Sequence, residues 1–298
     1  MNAIQTVTKY LPYLDQVYAY ASRSSILDTA SDLVQETADP KTVLIAKTSM
    51  SGLGDYDRNG AKGFVDGDVS LTWESHTFTQ DRGRSFQIDA MDDVETLGTA
   101  FGTLAGEFLR TKVSPEIDAV RFSKYAEKSG YAVEGKTLDA SNIVDEIDNA
   151  MTAMKENEVD LTGAVLFITP TLFGAIKKSD KFQRPLTPGE NPNRNFGMFD
   201  ELLVVEVPQS RFYKGLSIKD GKSSGQEAGG YEKAEGGADI NFMIVAPSAV
   251  VQLTKHAKMR VFDPDTNQQA DAYKVDYRIY HDAWVLENKV TGIYAHTK

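Results

Sequence analysis

The residue pattern with the sharpest chemical meaning in this 298-residue chain is Asp55-Tyr-Asp57-Arg-Asn59-Gly60, with Asp66 at the twelfth position. Oxygen donors at positions one, three, five and twelve, around a glycine at position six, follow the order of ligands in a calcium-binding EF-hand loop. Against this, position twelve is Asp rather than Glu, position eight is Lys62 where an apolar residue is usual, and no helical pattern flanks the loop. Turns collect Asp, Asn and Gly for their own conformational reasons. The expectation is a solvated hairpin tip without bound metal, with Asp55, Asp57, Asn59 and Asp66 as the calcium candidates.

The other reactive residue types form no recognised site. His76, His256, His281 and His296 show neither an HExxH motif nor a close pair, which argues against zinc. His281-Asp282 lies beside Trp284 at a strand end and has the form of a general base. Without a matched nucleophile motif it reads as a hydrogen-bonded structural histidine. The serines include no GxSxG, and the glycines from 221 to 237 make neither GxxxxGK[ST] nor GxGxxG. Asp92, Asp93 and Glu95 precede a helix, and Lys177-Lys178 end one, so the helix dipole accounts for both groups. The chain has no cysteine, which excludes disulfides, thiolate catalysis and cysteine-ligated metal. No catalytic residue and no cofactor is expected.

Composition bounds the class. With 41% hydrophobic and 25% charged residues, the chain reads as a soluble globular protein of about two domains. No apolar run approaches the ~20 residues that cross a bilayer, and the first residues lack a basic region followed by a hydrophobic one. An intracellular origin follows as the expectation. A net charge of −11 opposes general nucleic-acid binding and adhesion to anionic membranes. It suits the wall of a container for DNA, because a sticky wall would hinder filling and emptying.

Such a surface needs elements to carry it. The longest helical pattern runs from Val94 to Lys128, with Val94, Leu97, Phe101, Leu104, Phe108 and Val113 along one stripe. Ser114-Pro115 is expected to break it, with Ser114 capping a second segment, and Ser129-Gly130 to stop it. Upstream, residues 1–28 are rich in tyrosine and interrupted by Pro12, as befits an arm that buries its rings against something else. Strand patterns follow at Thr42 to Thr48, at Val69, Leu71 and Trp73, and at Phe86, Ile88 and Ala90. The glycine-rich stretch 51–67 joins the first two strands into a long hairpin with too polar a tip to form a core. An isolated hairpin is marginally stable in water, so this one is expected to lie on a neighbouring subunit.

After the long helix the pattern is compact α+β. Ile143, Ile147, Met151 and Met154 mark a helix over about 141–157. Val165 to Thr169 reads as a strand followed by a helix from Pro170, and the unit is expected to recur as a strand at Phe242 to Ala246 followed by a helix from Pro247 holding Val250, Val251 and Leu253. Leu202 to Val207 is a strand between exposed loops at 184–195 and 219–237. Tyr273, Val275, Tyr277 and Ile279 alternate as a half-buried strand.

An aromatic arm, a long hairpin, a long helix and a compact α+β domain, in that order, resemble a major capsid protein of tailed bacteriophages with the Hong Kong ninety-seven fold. Three stretches carry the resemblance: Asp68-Val-Ser-Leu-Thr-Trp73-Glu through Asp81-Arg-Gly-Arg84 to Asp89-Ala-Met91-Asp92; Glu107-Phe-Leu-Arg-Thr-Lys112-Val-Ser-Pro115-Glu-Ile-Asp118 on to Arg121-Phe-Ser; and Ile240-Asn-Phe-Met-Ile-Val-Ala-Pro247 with Tyr277-Arg-Ile-Tyr-His281-Asp-Ala-Trp284. The resemblance implies an N-terminal arm (1–41), an extended β-hairpin loop (42–92), a peripheral domain with the spine helix (93–132 and 257–283) and a compact axial domain (133–256 and 284–298).

It also implies homo-oligomers, hexamers and pentamers of an icosahedral shell, with a portal protein and scaffolding or decoration proteins as further partners. Packaged DNA would be contacted non-specifically, no membrane would be involved, and the protein would reside in the virion after assembly in the host cytoplasm. The intersubunit contact candidates are Tyr10, Tyr13, Tyr18, Arg58, Lys62, Trp73, Arg82 and Arg84. Some family members carry a cleaved scaffolding segment; this chain begins at the arm, so separate or absent scaffolding is expected. Lys47 and Lys62 lie in the extended loop, but no crosslinking partner matches them, and no crosslink is expected. The runner-up is an encapsulin-like compartment around a cargo enzyme. An α+β hydrolase with an unrecognised site is the alternative from a different class.

Overall fold

The structure, a computed structural model, describes residues 22–28, 34–36, 41–56, 58, 60, 63–91, 105–178 and 198–298. The chain divides into two compact units, Ala30–Gln80 and the remainder, Met1–Thr29 with Asp81–Lys298. The N-terminal tyrosines, residues 94–104 of the expected spine and the loop at 184–195 lie outside the described residues.

In the smaller unit, β1 (Val34–Glu36), β2 (Thr42–Met50) and β3 (Val69–Thr77) form an antiparallel sheet in that order. The hairpin register is unbroken from Thr42 opposite Thr77 to Met50 opposite Val69. Ser51 and Asp68 add one row beyond it: the Ser51 amide donates to the Asp68 carbonyl at 2.9 Å, and the Asp68 amide to the Ser51 hydroxyl at 3.0 Å. The alternation at Val69, Leu71 and Trp73 thus belongs to the expected hairpin.

The larger unit is built around a seven-stranded sheet. Its elements, after β4 (Gln80–Asp89), are α1 (Ser114–Glu127), β5 (Tyr131–Val133), α2 (Ile143–Glu156), β6 (Val165–Ile168), α3 (Pro170–Ile176), β7 (Met198–Phe199), β8 (Leu202–Glu206), β9 (Tyr213–Ile218), β10 (Tyr231–Val245), β11 (Val250–Phe262), β12 (Ala272–Val285) and β13 (Ile293–Thr297). The sheet order is β5-β13-β10-β6-β8-β7, with β9 on β10. Alternation in β6 sends Leu166 and Ile168 to one face and Val165 and Phe167 to the other. The first face packs on Ile143, Ile147, Met151 and Met154 of α2, the stripe expected from their spacing. The second packs on Phe122, Tyr125 and Ala126 of α1. A sheet buried on both faces needs these nearly continuous apolar strands.

The other end of the long helix covers a second sheet of order β11-β12-β4, where Leu109, Val113 and Ile117 meet Met259, Val275, Tyr277 and Ile279. Three expectations are corrected along this path. Ser114-Pro115 does not break the helix: it is helical from residue 105 through Glu127, with π geometry at Leu109–Val113. Both the amide and the hydroxyl of Ser114 donate to the Leu109 carbonyl, the hydroxyl at 3.0 Å, so Ser114 widens a turn instead of capping one. The extra residue in a π turn places the missing amide and the ring of Pro115 where the i→i−4 ladder is already open.

The expected helix from Pro247 is a single 3₁₀ turn, Pro247–Ala249, and Val250, Val251 and Leu253 begin strand β11. Their β-branched chains pair with β12 from Val250 opposite Val285 onward. The loop expected at 219–237 is half strand, because Tyr231 and the residues after it pair with β9. The stop at Ser129-Gly130 is as expected: Gly130 donates to the Val290 carbonyl at 2.8 Å, and a Cβ there would sit 2.6 Å from that oxygen.

Candidate assembly surface

On the hairpin, register and pleat decide which side chains share a face. Val69, Leu71 and Trp73 stand opposite Met50, Thr48 and Ala46, so all six lie on one side. Four of them are large and open to solvent: Val69 is 74% exposed, Met50 71%, Leu71 58% and Trp73 44%. The other side carries Val43 and Ile45, both buried, and a Lys47–Glu74 ion pair at 2.8 Å. Leu53, Tyr56, Phe64 and Val65 add exposed apolar surface at the tip, where Tyr56 and Phe64 meet edge to face at 4.8 Å. A contiguous apolar stripe on a soluble chain marks a surface that another molecule covers.

In the larger unit, helix α1 is a hub. Glu116 pairs with Arg82 of β4 at 2.6 Å, and Arg82 also donates to the Lys219 carbonyl at 2.9 Å. Asp118, fully buried, accepts from the hydroxyls of Ser22 and Ser24 at 2.7 Å, the amides of Arg23 and Ser24 at 2.9 and 3.1 Å, and Arg211 Nη1 at 3.1 Å. Arg121, also buried, donates to Ser24 Oγ at 2.9 Å and pairs with Asp28 at 3.1 Å. Burial raises the Asp28 carboxyl above its ordinary pKa, and the Arg121 guanidinium opposes that shift. Lys124 pairs with the buried Asp282 of β12. Of these charges Lys124 lies in the last turn of the helix, where its dipole favours a base. One helix thus ties four sequence-distant segments together through charged contacts, while the buried Nε of Arg121 has no hydrogen-bond partner among the described residues.

His281 is buried, but in place of the expected hydrogen bond its Nδ1 has no partner among the described residues, and burial pulls its pKa down to about 3. A group that takes up a proton only at that pH is poorly matched to general-base work near neutrality. His296 is also buried; its Nδ1 accepts from Asn241 Nδ2 at 3.1 Å, its ring stacks on Phe242, and burial lowers its pKa. Both histidines belong to the core.

Of the calcium candidates, Asp55 and Asp66 are exposed, while Asp57 and Asn59 lie outside the described residues. Among the described residues no three His, Cys, Asp or Glu side chains are grouped to hold a metal ion. Of the contact candidates, Tyr10, Tyr13, Tyr18 and Lys62 lie outside the described residues, Arg58 is exposed, and Trp73 is on the apolar stripe. Arg82 is engaged as above, and Arg84 Nη1 donates to the Glu227 carbonyl at 3.0 Å. The roles of Asp118 and Arg121 escaped the sequence, since the Ser22 donor lies 96 residues from Asp118. Among the described residues no helix is long and apolar enough to cross a membrane.

No protein-family model matches the chain, and no curated protein matches it. Solved structures do. The chain is similar to the capsid of cyanophage P-SCSP1u at a TM-score of 0.61 and 10% identity, covering 91% of this chain and 86% of that one. The head structure of Helicobacter pylori bacteriophage KHP40 gives 0.59 at 12% identity, with 93% and 90% covered. The mature capsid of bacteriophage PhiM1 gives 0.53 at 16% identity, with 88% and 83% covered. What is shared is the fold: the α+β, Hong Kong ninety-seven-like fold of phage capsid proteins.

Proposed function

We propose that this chain is the major capsid protein of a tailed bacteriophage, a structural protein that assembles as hexamers and pentamers into an icosahedral shell around double-stranded DNA. The observation that carries the reading, beside the fold, is the exposed apolar stripe of Met50, Val69, Leu71 and Trp73 on a hairpin of nine paired rows. Each such side chain removed from water contributes ~1.5–3 kcal/mol before ordering costs. A monomer gains nothing by exposing them, whereas a subunit that lays its hairpin on a neighbour does.

In this reading residues 1–41 are the arm, 42–92 the extended loop, 93–132 with 257–283 the peripheral domain, and 133–256 with 284–298 the axial domain. Arg58, Lys62, Trp73, Arg82, Arg84 and the arm tyrosines Tyr10, Tyr13 and Tyr18 contribute to contacts between subunits. The net charge of −11 keeps packaged DNA from adhering to the wall. A portal protein, with scaffolding or decoration proteins, completes a virion assembled in the host cytoplasm. Deleting residues 51–67 tests the account. Shell yield in electron micrographs should collapse while the melting of the subunit is nearly unchanged; normal shells from the deletion would refute the hairpin's role.

A further inference from the structure

Six buried side-chain atoms among the described residues have no hydrogen-bond partner, and five of them lie where helix α1 meets the β11–β12 ladder. They are Arg121 Nε and the Tyr125 hydroxyl on α1, both amide atoms of Gln252 on β11, and His281 Nδ1 on β12. The four residues are between 0% and 5% exposed. Spacing and register bring them together. Arg121 and Tyr125 stand four residues apart, on one face of the helix. Gln252 is opposite Ala283 and His281 opposite Thr254, so Gln252 and His281 share one face of the ladder. That face is turned to α1, because Val250 and Ala283 on it pack in one cluster with Phe122 and Tyr125. Burial raises the pKa of the Tyr125 hydroxyl, and the neighbouring Arg121 guanidinium and Gln252 amide oppose the rise. At His281 the same guanidinium adds to the lowering by burial. These groups are near enough to sense one another, yet none of the five atoms bonds another.

Polar atoms that face each other beyond hydrogen-bond reach are commonly joined by a molecule between them. Their chemistry says which. Arg121 Nε–H and the Gln252 amide nitrogen donate, the Gln252 carbonyl accepts, and the Tyr125 hydroxyl and the neutral His281 ring can do either. An anion would satisfy only the donors, and a cation only the acceptors. The full charges nearby are already paired, Arg121 with Asp28, Asp118 with Arg211 and Lys124 with Asp282, so nothing calls for an ion. Water donates and accepts. A buried water makes about three hydrogen bonds, so five such atoms take about two waters. We propose that helix α1 and the β11–β12 ladder are joined by an internal site for ordered water, bridging Arg121, Tyr125, Gln252 and His281. The site belongs to the folded subunit and does not depend on the assembly reading.

A crystal structure of the subunit, or a reconstruction of the assembled particle, tests the wild-type chain at a resolution that shows ordered water. Density should lie within about 2.7–3.2 Å of at least three of the five atoms. Oxygen-17 magnetic relaxation dispersion gives a second readout, since it counts long-lived internal waters. Tyr125→Phe with Gln252→Met removes three of the five atoms at nearly constant volume, and the count should fall by about two. An unchanged count in the folded variant would overturn the site; should the variant not fold, the wild-type map decides alone. A Tyr125 hydroxyl bonded directly to Gln252, with no density between helix and ladder, would overturn it. So would an anomalous peak at that position in crystals soaked in bromide.

Discussion

Five donors converge on Asp118 inside a site closed to water. Asp118→Asn keeps the shape but turns an acceptor into a donor against the Ser22 to Ser24 amides and hydroxyls and removes the negative charge that faces Arg211. Removing one partner of a buried charged pair typically costs ~3–5 kcal/mol, and urea denaturation of the isolated subunit should show a loss of that order. His281 contributes a pH dependence. Its folded pKa of about 3 lies below the ordinary value of 6.5, so the unfolded chain binds more protons between the two. The contribution is present above pH 6.5 and is lost as pH falls toward 3, so the melting temperature should drop on acidification through that window. His281→Gln, neutral throughout, should flatten the slope; an unchanged slope would mean that other groups govern it. The sequence suggested a hydrogen-bonded structural histidine at 281, of which the burial is seen but no partner for Nδ1 among the described residues; nothing near Asp118 hinted that Ser22 and Arg211 would reach it, because that contact is closed only by the tertiary fold.

Helix α2 and strand β11 show where sequence reading succeeds and where it fails. Ile143, Ile147, Met151 and Met154 recur at helical spacing, and all four are buried against the sheet. Ile147→Ala should therefore cost the subunit ~2–5 kcal/mol in denaturation. Pro247 with Val250, Val251 and Leu253 carries a similar local signal. The long-range pairing with β12 and the β-branched valines override it after one turn. Pro115 misled for a related reason: its cost to an α-helix is real, but the π turn ahead of it absorbs that cost, and no single residue type announces a π turn. On the hairpin, the contrast with α2 is the useful test. Leu71→Ser should change the subunit's stability by no more than ~0.5 kcal/mol, since the side chain is exposed, while reducing assembly in sedimentation assays.

For the whole molecule, the order of hairpin, long helix and α+β core carried the fold in the sequence, and the similarity to phage capsids spans about nine-tenths of the chain. The surfaces that assembly would use were less legible. Exposure of Val69, Leu71 and Trp73 depends on what packs beside the hairpin, and the alternating pattern alone is the same for a strand buried on one face. The central claim is that this chain completes itself only by associating with its own copies. The measurement that addresses it directly is multi-angle light scattering after size exclusion, with electron microscopy of the same fractions. The account predicts ring-shaped capsomers or closed shells; a monomer that persists through changes in protein concentration, salt and calcium would contradict it.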